Sequence, residues 1–203
     1  MEPEVAARIF GPQIELARRY TADLTLHGEE LGLIGPLEIP RLWSRHILNC
    51  VLIAPLLRPG NVGDVGSGAG LPGLVLAIAR PDVQFTLIEP MERRVDWLLA
   101  ESHDLGLENV SVLRARAEEA KLSAPLTQVT ARAVTALRKL IPATVPLLAS
   151  GGEMLFYKGA RVTEEVSAAA KQIRKARLNG VEVLELGAGI VPEVTRVFRA
   201  TVD

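Results

Sequence analysis

Gly63-Asp64-Val65-Gly66-Ser67-Gly68-Ala69-Gly70-Leu71-Pro72-Gly73 is the stretch around which the rest of the chain is organised. Asn61 to Val65 reads as a short buried strand. Leu74-Val75-Leu76-Ala77-Ile78-Ala79-Arg80 reads as a helix, with Pro72 suited to its first turn. Glycines between a strand and a helix permit a sharp turn and let a ligand approach the backbone. The helix start adds free N–H groups and the positive end of a dipole. Gly68-Ala69-Gly70-Leu71-Pro72-Gly73 fits the dinucleotide pattern G-x-G-x-x-G, but two acids point elsewhere. Asp64 faces the strand's end, where it would pair with a cationic ligand group and repel a pyrophosphate. Glu89, which ends the apolar run Leu87-Ile88-Glu89, suits both hydroxyls of a ribose. An ammonium, a sulfonium and a ribose together describe S-adenosylmethionine. The plain alternative is a tight strand-to-helix turn that holds no ligand.

Upstream, residues 1–59 read as a helical extension. Ile14, Leu16, Ala17, Tyr20 and Leu24 recur at helical spacing, and Gly35-Pro36 break the pattern. Pro40 opens a second helix, Arg41 to Leu57, closed by Pro59-Gly60. On it Trp43, Ile47, Cys50, Val51 and Ala54 form an apolar face, and Arg41, Arg45 and Asn49 a polar ladder. Downstream, residues 60–203 alternate strand and helix. Strands are predicted near 62–66, 84–89, 110–114, 126–131 and 152–158. Helices are predicted near 72–80, 91–105, 118–120, 135–149 and 162–176. Val181 to Leu186 and Val194 to Val202 close the chain as a hairpin. The fold class is therefore α/β: a doubly wound, mostly parallel sheet of seven strands with one antiparallel strand, behind an N-terminal helical extension.

Composition sets bounds. The chain has 203 residues, 48% hydrophobic, enough for one sizeable core. Its net charge of −1 means that any nucleic-acid surface must be local. The single cysteine, Cys50, excludes an internal disulfide, which fits a reducing compartment. Met1-Glu2-Pro3-Glu4 has neither a basic nor an apolar leader region, and Val51 to Leu57 is too short to span a bilayer. The expectation is a soluble, cytoplasmic protein with no membrane association and no obligate protein partner.

In an open parallel sheet ligands bind beyond the carboxyl ends of the strands. The residues there are Gly66, Ser67, Gly68 and Leu71 after the first strand and Glu89 after the second. Ala117 and Glu118 come after the third, Arg132 after the fourth, and Lys158 after the fifth. Ala117 and Glu118 fall where an adenine edge would lie, a backbone N–H and a carboxylate being able to read it; helix capping is the bland reading of Glu118. Arg132 ends an apolar strand and would hold a cofactor carboxylate or a substrate phosphate, with a salt bridge to Glu89 or Glu118 as the competing reading. His46 is either a packing histidine or a substrate contact. Basic residues gather in Lys158 to Arg177, including Arg161, and again as Arg18, Arg19, Arg41 and Arg45. Two basic patches flanking one cleft suit a structured polyanion, although most charge runs are solvated faces. An aromatic content of 4% gives no broad platform for stacking bases. No Ser-His-Asp set, metal-ligand cluster or P-loop lysine is present in the sequence.

These residues resemble a known family. Asp64-Val65-Gly66-Ser67-Gly68-Ala69-Gly70-Leu71-Pro72-Gly73-Leu74 is similar to the cofactor loop of the RsmG (GidB) small-subunit rRNA methyltransferases. Arg45-His46-Ile47-Leu48-Asn49, Ala131-Arg132-Ala133 and Lys158-Gly159 fall where that family has its other motifs, and Leu31 to Pro36 resembles its actinobacterial branch. The resemblance spans nearly the whole chain. It implies the seven-stranded S-adenosylmethionine-dependent fold. It also implies methylation at N7 of one guanine, position 527 in the family's name, in 16S rRNA or the small ribosomal subunit. Carried over by motif, cofactor contacts fall on Gly66, Leu71, Ala117, Glu118 and Arg132. The chain departs from many members at Ala131 (serine), Glu89-Pro90 (Asp-Ser) and Asp23-Leu24-Thr25 (Asn-Leu-Thr). No general base is required for such a nucleophile, so Arg132, His46 and Lys158 are candidates for positioning only. Arg41, Arg45, His46 and Arg161 are candidates for RNA contact. The competing functions are a methyltransferase for a small molecule or protein, a nicotinamide oxidoreductase using Gly68-x-Gly70-x-x-Gly73, and a non-catalytic ribosome-assembly factor.

Overall fold

Four of the five positions of β1 (Asn61–Val65) are buried, as a strand covered on both faces of a parallel sheet requires. The computed structural model describes residues 2–203. Around β1 lie β2 (Gln84–Ile88), β3 (Val110–Leu113), β4 (Leu126–Arg132), β5 (Leu148–Lys158), β6 (Asn179–Leu186) and β7 (Thr195–Thr201). They form one sheet in the order β3-β2-β1-β4-β5-β7-β6. β1 to β5 pair in parallel, and β7 is antiparallel to both β5 and β6. Strand order reverses between β1 and β4. Their carboxyl ends therefore part at a crevice, where the Gly-rich loop meets Arg132.

The helices are α1 (Val5–Phe10), α2 (Ile14–His27), α3 (Leu48–Val51), α4 (Gly73–Ala79), α5 (Glu92–Asp104), α6 (Leu137–Thr144), α7 (Val162–Ala168) and α8 (Ala170–Lys175). On one sheet face α4 is apolar all round and buried from Gly73 to Ile78, as a helix enclosed on every side must be. Its neighbours there include Tyr20, Trp43, Ile47, Phe85 and Trp97, so the N-terminal helices share one core with the sheet. The other face packs Val65, Leu137, Leu140, Ile141 and Met154 with the stacked rings of Phe156 and Phe198. No helix among the described residues is long and apolar enough to cross a membrane.

Three helical expectations are corrected. Arg41 to Leu57 is not one helix. A 3₁₀ turn (Ile39–Arg41) leads into a π turn (Leu42–Ile47), then α3 and a second 3₁₀ turn (Ala54–Leu56). Trp43, Ile47, Cys50, Val51 and Ala54 are all buried as expected. The wider π turn, however, breaks the four-residue ladder, since i→i+5 bonding rotates the residues C-terminal to it. The helix predicted at 135–149 ends at Thr144, and β5 already begins at Leu148. Residues 162–176 divide into α7 and α8 at buried Ala169.

Candidate active site

The loop after β1 is built from inside. Gly66, Gly68 and Gly70 have φ of 70°, 57° and 100°, values that glycine adopts without a Cβ penalty. The Gly66 N–H donates to Ile88 O at 2.8 Å and ties the loop to the end of β2. Asp64 lies beneath it, fully buried, and its Oδ2 accepts the Gly73 N–H at 3.0 Å. A Cβ on Gly73 would sit 2.3 Å from Leu87 Cδ2 and 2.6 Å from that carboxylate oxygen. Gly73 thus fills a steric requirement, not a conformational one. Burial pushes the Asp64 carboxyl up to about 7, against the Ser67 hydroxyl and the Gly73 N–H, which hold it down. Asp64 Oδ1 has no hydrogen-bond partner. The sequence placed Asp64 facing a cationic ligand group; the structure encloses it under the loop, where it fixes the backbone that a ligand would meet.

Three cavities open along the carboxyl edge. The first, about 390 Å³, is lined by Gly66, Glu89, Arg94, Ala117 and Glu118 together with apolar Ile88, Met91 and Leu140. Glu89 is buried and braced: Oε2 accepts the Gly68 N–H at 2.9 Å and Oε1 the Met91 N–H at 3.0 Å. Each carboxylate oxygen keeps further acceptor capacity. Apolar side chains with an acid at the end of β2 and a second acid with a backbone turn at Ala117-Glu118 offer the acceptors that ribose hydroxyls and an exocyclic amine require.

The second cavity, about 230 Å³, continues over the loop. Ser67, Gly68, Leu71, His46 and Arg132 line it, and Gly66, Arg94 and Ala133 border both cavities. Ser67 is buried, and its Oγ donates to Asp64 O at 2.9 Å. Around Gly68 a Cβ would meet nothing closer than 3.9 Å, so that side of the loop is open to a ligand. Arg132 forms no salt bridge with Glu89 or Glu118, nor with any other carboxylate among the described residues. Instead its guanidinium donates to His46 Nδ1 and, at 3.2 Å, to Cys50 Sγ. Burial and the Arg132 charge push the His46 pKa down, while Glu38, 2.7 Å from Nε2, opposes them.

The third and largest cavity, about 700 Å³, lies beyond Arg132. Arg45, Asn49, Lys158, Thr195 and Arg196 line it. Asn49 Oδ1 and Thr195 Oγ1 are buried there without hydrogen-bond partners. Lys158 Nζ donates to Thr135 O at 2.8 Å and to Glu165 Oε2 at 3.0 Å, so its charge is already paired. Ala133, with φ of 55°, lines all three cavities. Its left-handed turn, unusual for alanine, swings the chain after β4 across their junction.

Of the residues predicted from sequence, only Arg41, Arg161 and buried Asp64 line none of the three cavities. Arg41 is engaged instead by Glu193, itself on the third cavity, at 3.5 Å, and lies 4.0 Å from Glu38, the carboxylate that also lies 3.9 Å from Arg45. Arg161 sits just before α7, outside the cavity walls. Arg18, from the second basic set, is tied to Glu2 at 2.8 Å. Sequence reasoning missed Arg94, whose Nε lacks a partner and whose side chain borders the first two cavities. It also missed Val134, which lies over Gly66. Arg94 has no local signal, being one of two arginines in Glu92-Arg93-Arg94; only the tertiary turn of α5 distinguishes them.

The chain matches the family model described as GidB, rRNA small subunit methyltransferase G, over residues 13–192. It is 64% identical over 202 residues to a ribosomal RNA small subunit methyltransferase G of Leifsonia xyli, covering 100% of this chain and 97% of that one. It is 46% identical over 200 residues to the protein of the same name from Corynebacterium glutamicum, covering 97% and 90%. Solved structures share the fold at low identity. The N-methyltransferase NodS of Bradyrhizobium japonicum, in complex with S-adenosyl-L-homocysteine, aligns with a TM-score of 0.60 at 17% identity, covering 88% of this chain and 98% of that one. TYW2 of P. horikoshii, in complex with MeSAdo, aligns with a TM-score of 0.61 at 15% identity, covering 77% and 62%.

Proposed function

The chain belongs to the GidB family of ribosomal RNA small subunit methyltransferases G, and from that premise we propose that it transfers a methyl group from S-adenosylmethionine to N7 of one guanine, position 527 in the family's name, of 16S rRNA. The observation that carries the reading is the junction at Ala133. There the cavity at Glu89 and Ala117-Glu118, a small cavity over the glycine loop and a larger polar cavity share one wall. Cofactor and target base would thus meet end to end at the strand-order switch.

Glu89 would accept the ribose hydroxyls, Ala117 and Glu118 would read the adenine edge, and Gly66, Ser67, Gly68 and Leu71 would line the path of the tail. Arg94 and Arg132 supply the cations for its carboxylate. The fit is supported by the orphaned Arg94 Nε and by the open space at Gly68. When bound, the cofactor supplies an electrophilic methyl group on a sulfonium. Guanine N7 carries an in-plane lone pair and loses no proton on attack, so the chain needs no general base. Its contribution is alignment, on the order of several kcal/mol. Asn49 Oδ1 and Thr195 Oγ1 are acceptors in want of donors beside the third cavity, and guanine offers N–H donors on its Watson–Crick edge. Beside Arg132, Arg45 adds positive charge for the rRNA backbone at that cavity, where Arg196 is already paired with Glu185 at 2.8 Å. A substrate of this kind, rRNA or the small subunit, supports a cytoplasmic location for the reaction.

The test is methyl transfer from labelled S-adenosylmethionine to small subunits from cells lacking this protein, with the modified nucleoside identified by mass. One N7-methylguanosine per subunit is expected. No label in subunits or free rRNA, with cofactor binding intact, would overturn the reading in favour of a small-molecule or protein substrate.

A further inference from the structure

Arg132 is a partly buried cation without a carboxylate partner among the described residues, at the place where the second and third cavities meet. Such a group needs its geometry imposed from elsewhere, because a guanidinium free to rotate would spread its charge over both cavities. The structure shows what imposes it. A guanidinium has donors only. His46 Nδ1, which faces it, must therefore be the unprotonated ring nitrogen and accept. The ring proton is left on Nε2, 2.7 Å from Glu38 Oε2, which accepts it. Glu38 itself lies outside the cavities, in the segment before the π turn that carries His46.

We propose that Glu38 is a positioning residue: by fixing the tautomer of His46, it holds the Arg132 guanidinium where cofactor and target base meet. The inference deepens the methyl-transfer reading and rests on it for what Arg132 does, but its primary readout does not. The charged groups that face the pair are few. Glu38 and Arg132 touch His46, Arg45 lies on the same turn 3.9 Å from Glu38, and Arg41 lies 4.0 Å from Glu38. Cys50 contacts Arg132 from α3. Protonation of Nδ1 would replace an acceptor by a donor opposite a guanidinium and release Arg132. Activity is therefore expected to fall on the acid side as His46 takes up its second proton, which burial and Arg132 delay to below its ordinary range.

Nitrogen-15 NMR of the histidine rings, with His27 and His103 as internal references, tests the relay without any substrate. In the wild-type protein at pH 7, His46 is expected as the Nε2–H tautomer. Glu38→Gln keeps an acceptor oxygen, so the tautomer is retained. It removes the negative charge that favours imidazolium, so the His46 midpoint moves to lower pH. Glu38→Ala removes the acceptor of the Nε2–H and leaves Arg132 alone to favour that tautomer, so the preference weakens and the ring is no longer held from both sides. Methyl transfer to small subunits should change in parallel. Glu38→Ala falls about tenfold or more at pH 7, by misplacement of Arg132. Glu38→Gln stays within a few-fold, and the acid limb of its rate profile moves with the His46 midpoint. An unchanged tautomer preference in Glu38→Ala, or wild-type rate in that variant, overturns the proposal; an unfolded Glu38→Ala leaves Glu38→Gln to decide by its midpoint and acid limb. If the tautomers behave as stated and wild-type protein labels no subunits, it is the assignment of substrate that fails and not the relay.

Discussion

Tyr20, on α2, and Trp97, on α5, donate to the same acceptor: the Ala69 carbonyl, at 3.0 Å and 2.9 Å. Both side chains are buried, and Ala69 is the crest of the glycine loop. One N-terminal helix, α2, and one helix of the sheet layer, α5, thus hold the loop together at Ala69, while Asp64 and Glu89 grip it from beneath and from the β2 end.

That shared acceptor makes the two donors redundant. Tyr20→Phe or Trp97→Phe alone leaves Ala69 O satisfied, so each should cost about 1 kcal/mol, apart from the indole's lost packing. Together they orphan a buried carbonyl, and the double variant should lose on the order of 1 kcal/mol more than the sum. Urea unfolding of the four proteins measures the coupling; strict additivity would show that the two bonds do not share a load.

Glu89→Gln can present only one oxygen to two backbone N–H groups. Either Gly68 or Met91 then faces an amide NH₂, and one bond of the charge-assisted kind, worth about 1.5–3 kcal/mol, is lost. The loop end loosens and the acceptor for the ribose weakens, so affinity for S-adenosylmethionine is expected to fall at least about tenfold. Titration calorimetry on the folded variant reads this directly, and unchanged affinity would remove Glu89 from the cofactor site.

Asp64 gives the protein a pH-dependent cost. Its folded pKa, about 7, lies above the 3.8 of a free side chain, so the native state binds the extra proton across that window. The stabilisation it confers is complete below about pH 4 and is lost as pH rises through 7. Asp64→Asn stays neutral and keeps an oxygen for the Gly73 N–H. It should match wild type near pH 4 and melt higher at pH 8, by an amount on the order of a few kcal/mol in stability. Melting curves across that range test it; a pH-independent difference between the two proteins would refute the linkage.

Legible and hidden features of the sequence divide along a physical line. The glycine loop, Glu89 and Arg132 were legible because chain-local rules place them: glycines where φ is positive, and polar residues where an apolar strand stops. β1, β2, β4, β5 and β7 were legible because burial shows as apolar runs, whereas β3 and β6, half-buried or exposed, were legible from apolar residues that alternate between turn signals. Arg94, Val134 and Thr195 were not, since nothing in their immediate neighbours distinguishes them; they join the site through the packing of α5, the left-handed turn at Ala133 and the return of β7. The ladder Arg41, Arg45, Asn49 failed in part for a related reason. A regular helix was assumed, whereas Arg41 ends a 3₁₀ turn and Leu42–Ile47 adopts the wider π turn; Arg45 and Asn49 line the cavity and Arg41 does not. Asp64 was found as a position but misjudged in direction, because burial beneath a loop leaves no mark on the sequence.

The reversed strand β7 also sets an order of events. It runs against β5, so its first residues lie beside the open edge, with Arg196 in register with Lys158. Thr195 and Arg196, which wall the third cavity, are made by the ribosome after every other part of the site. A nascent chain that has not reached them already holds the residues of the first two cavities, from Leu33 to Ala143. The core behind the glycine loop includes Val191 and Val197, so the site as a whole is completed only when this last strand is in place.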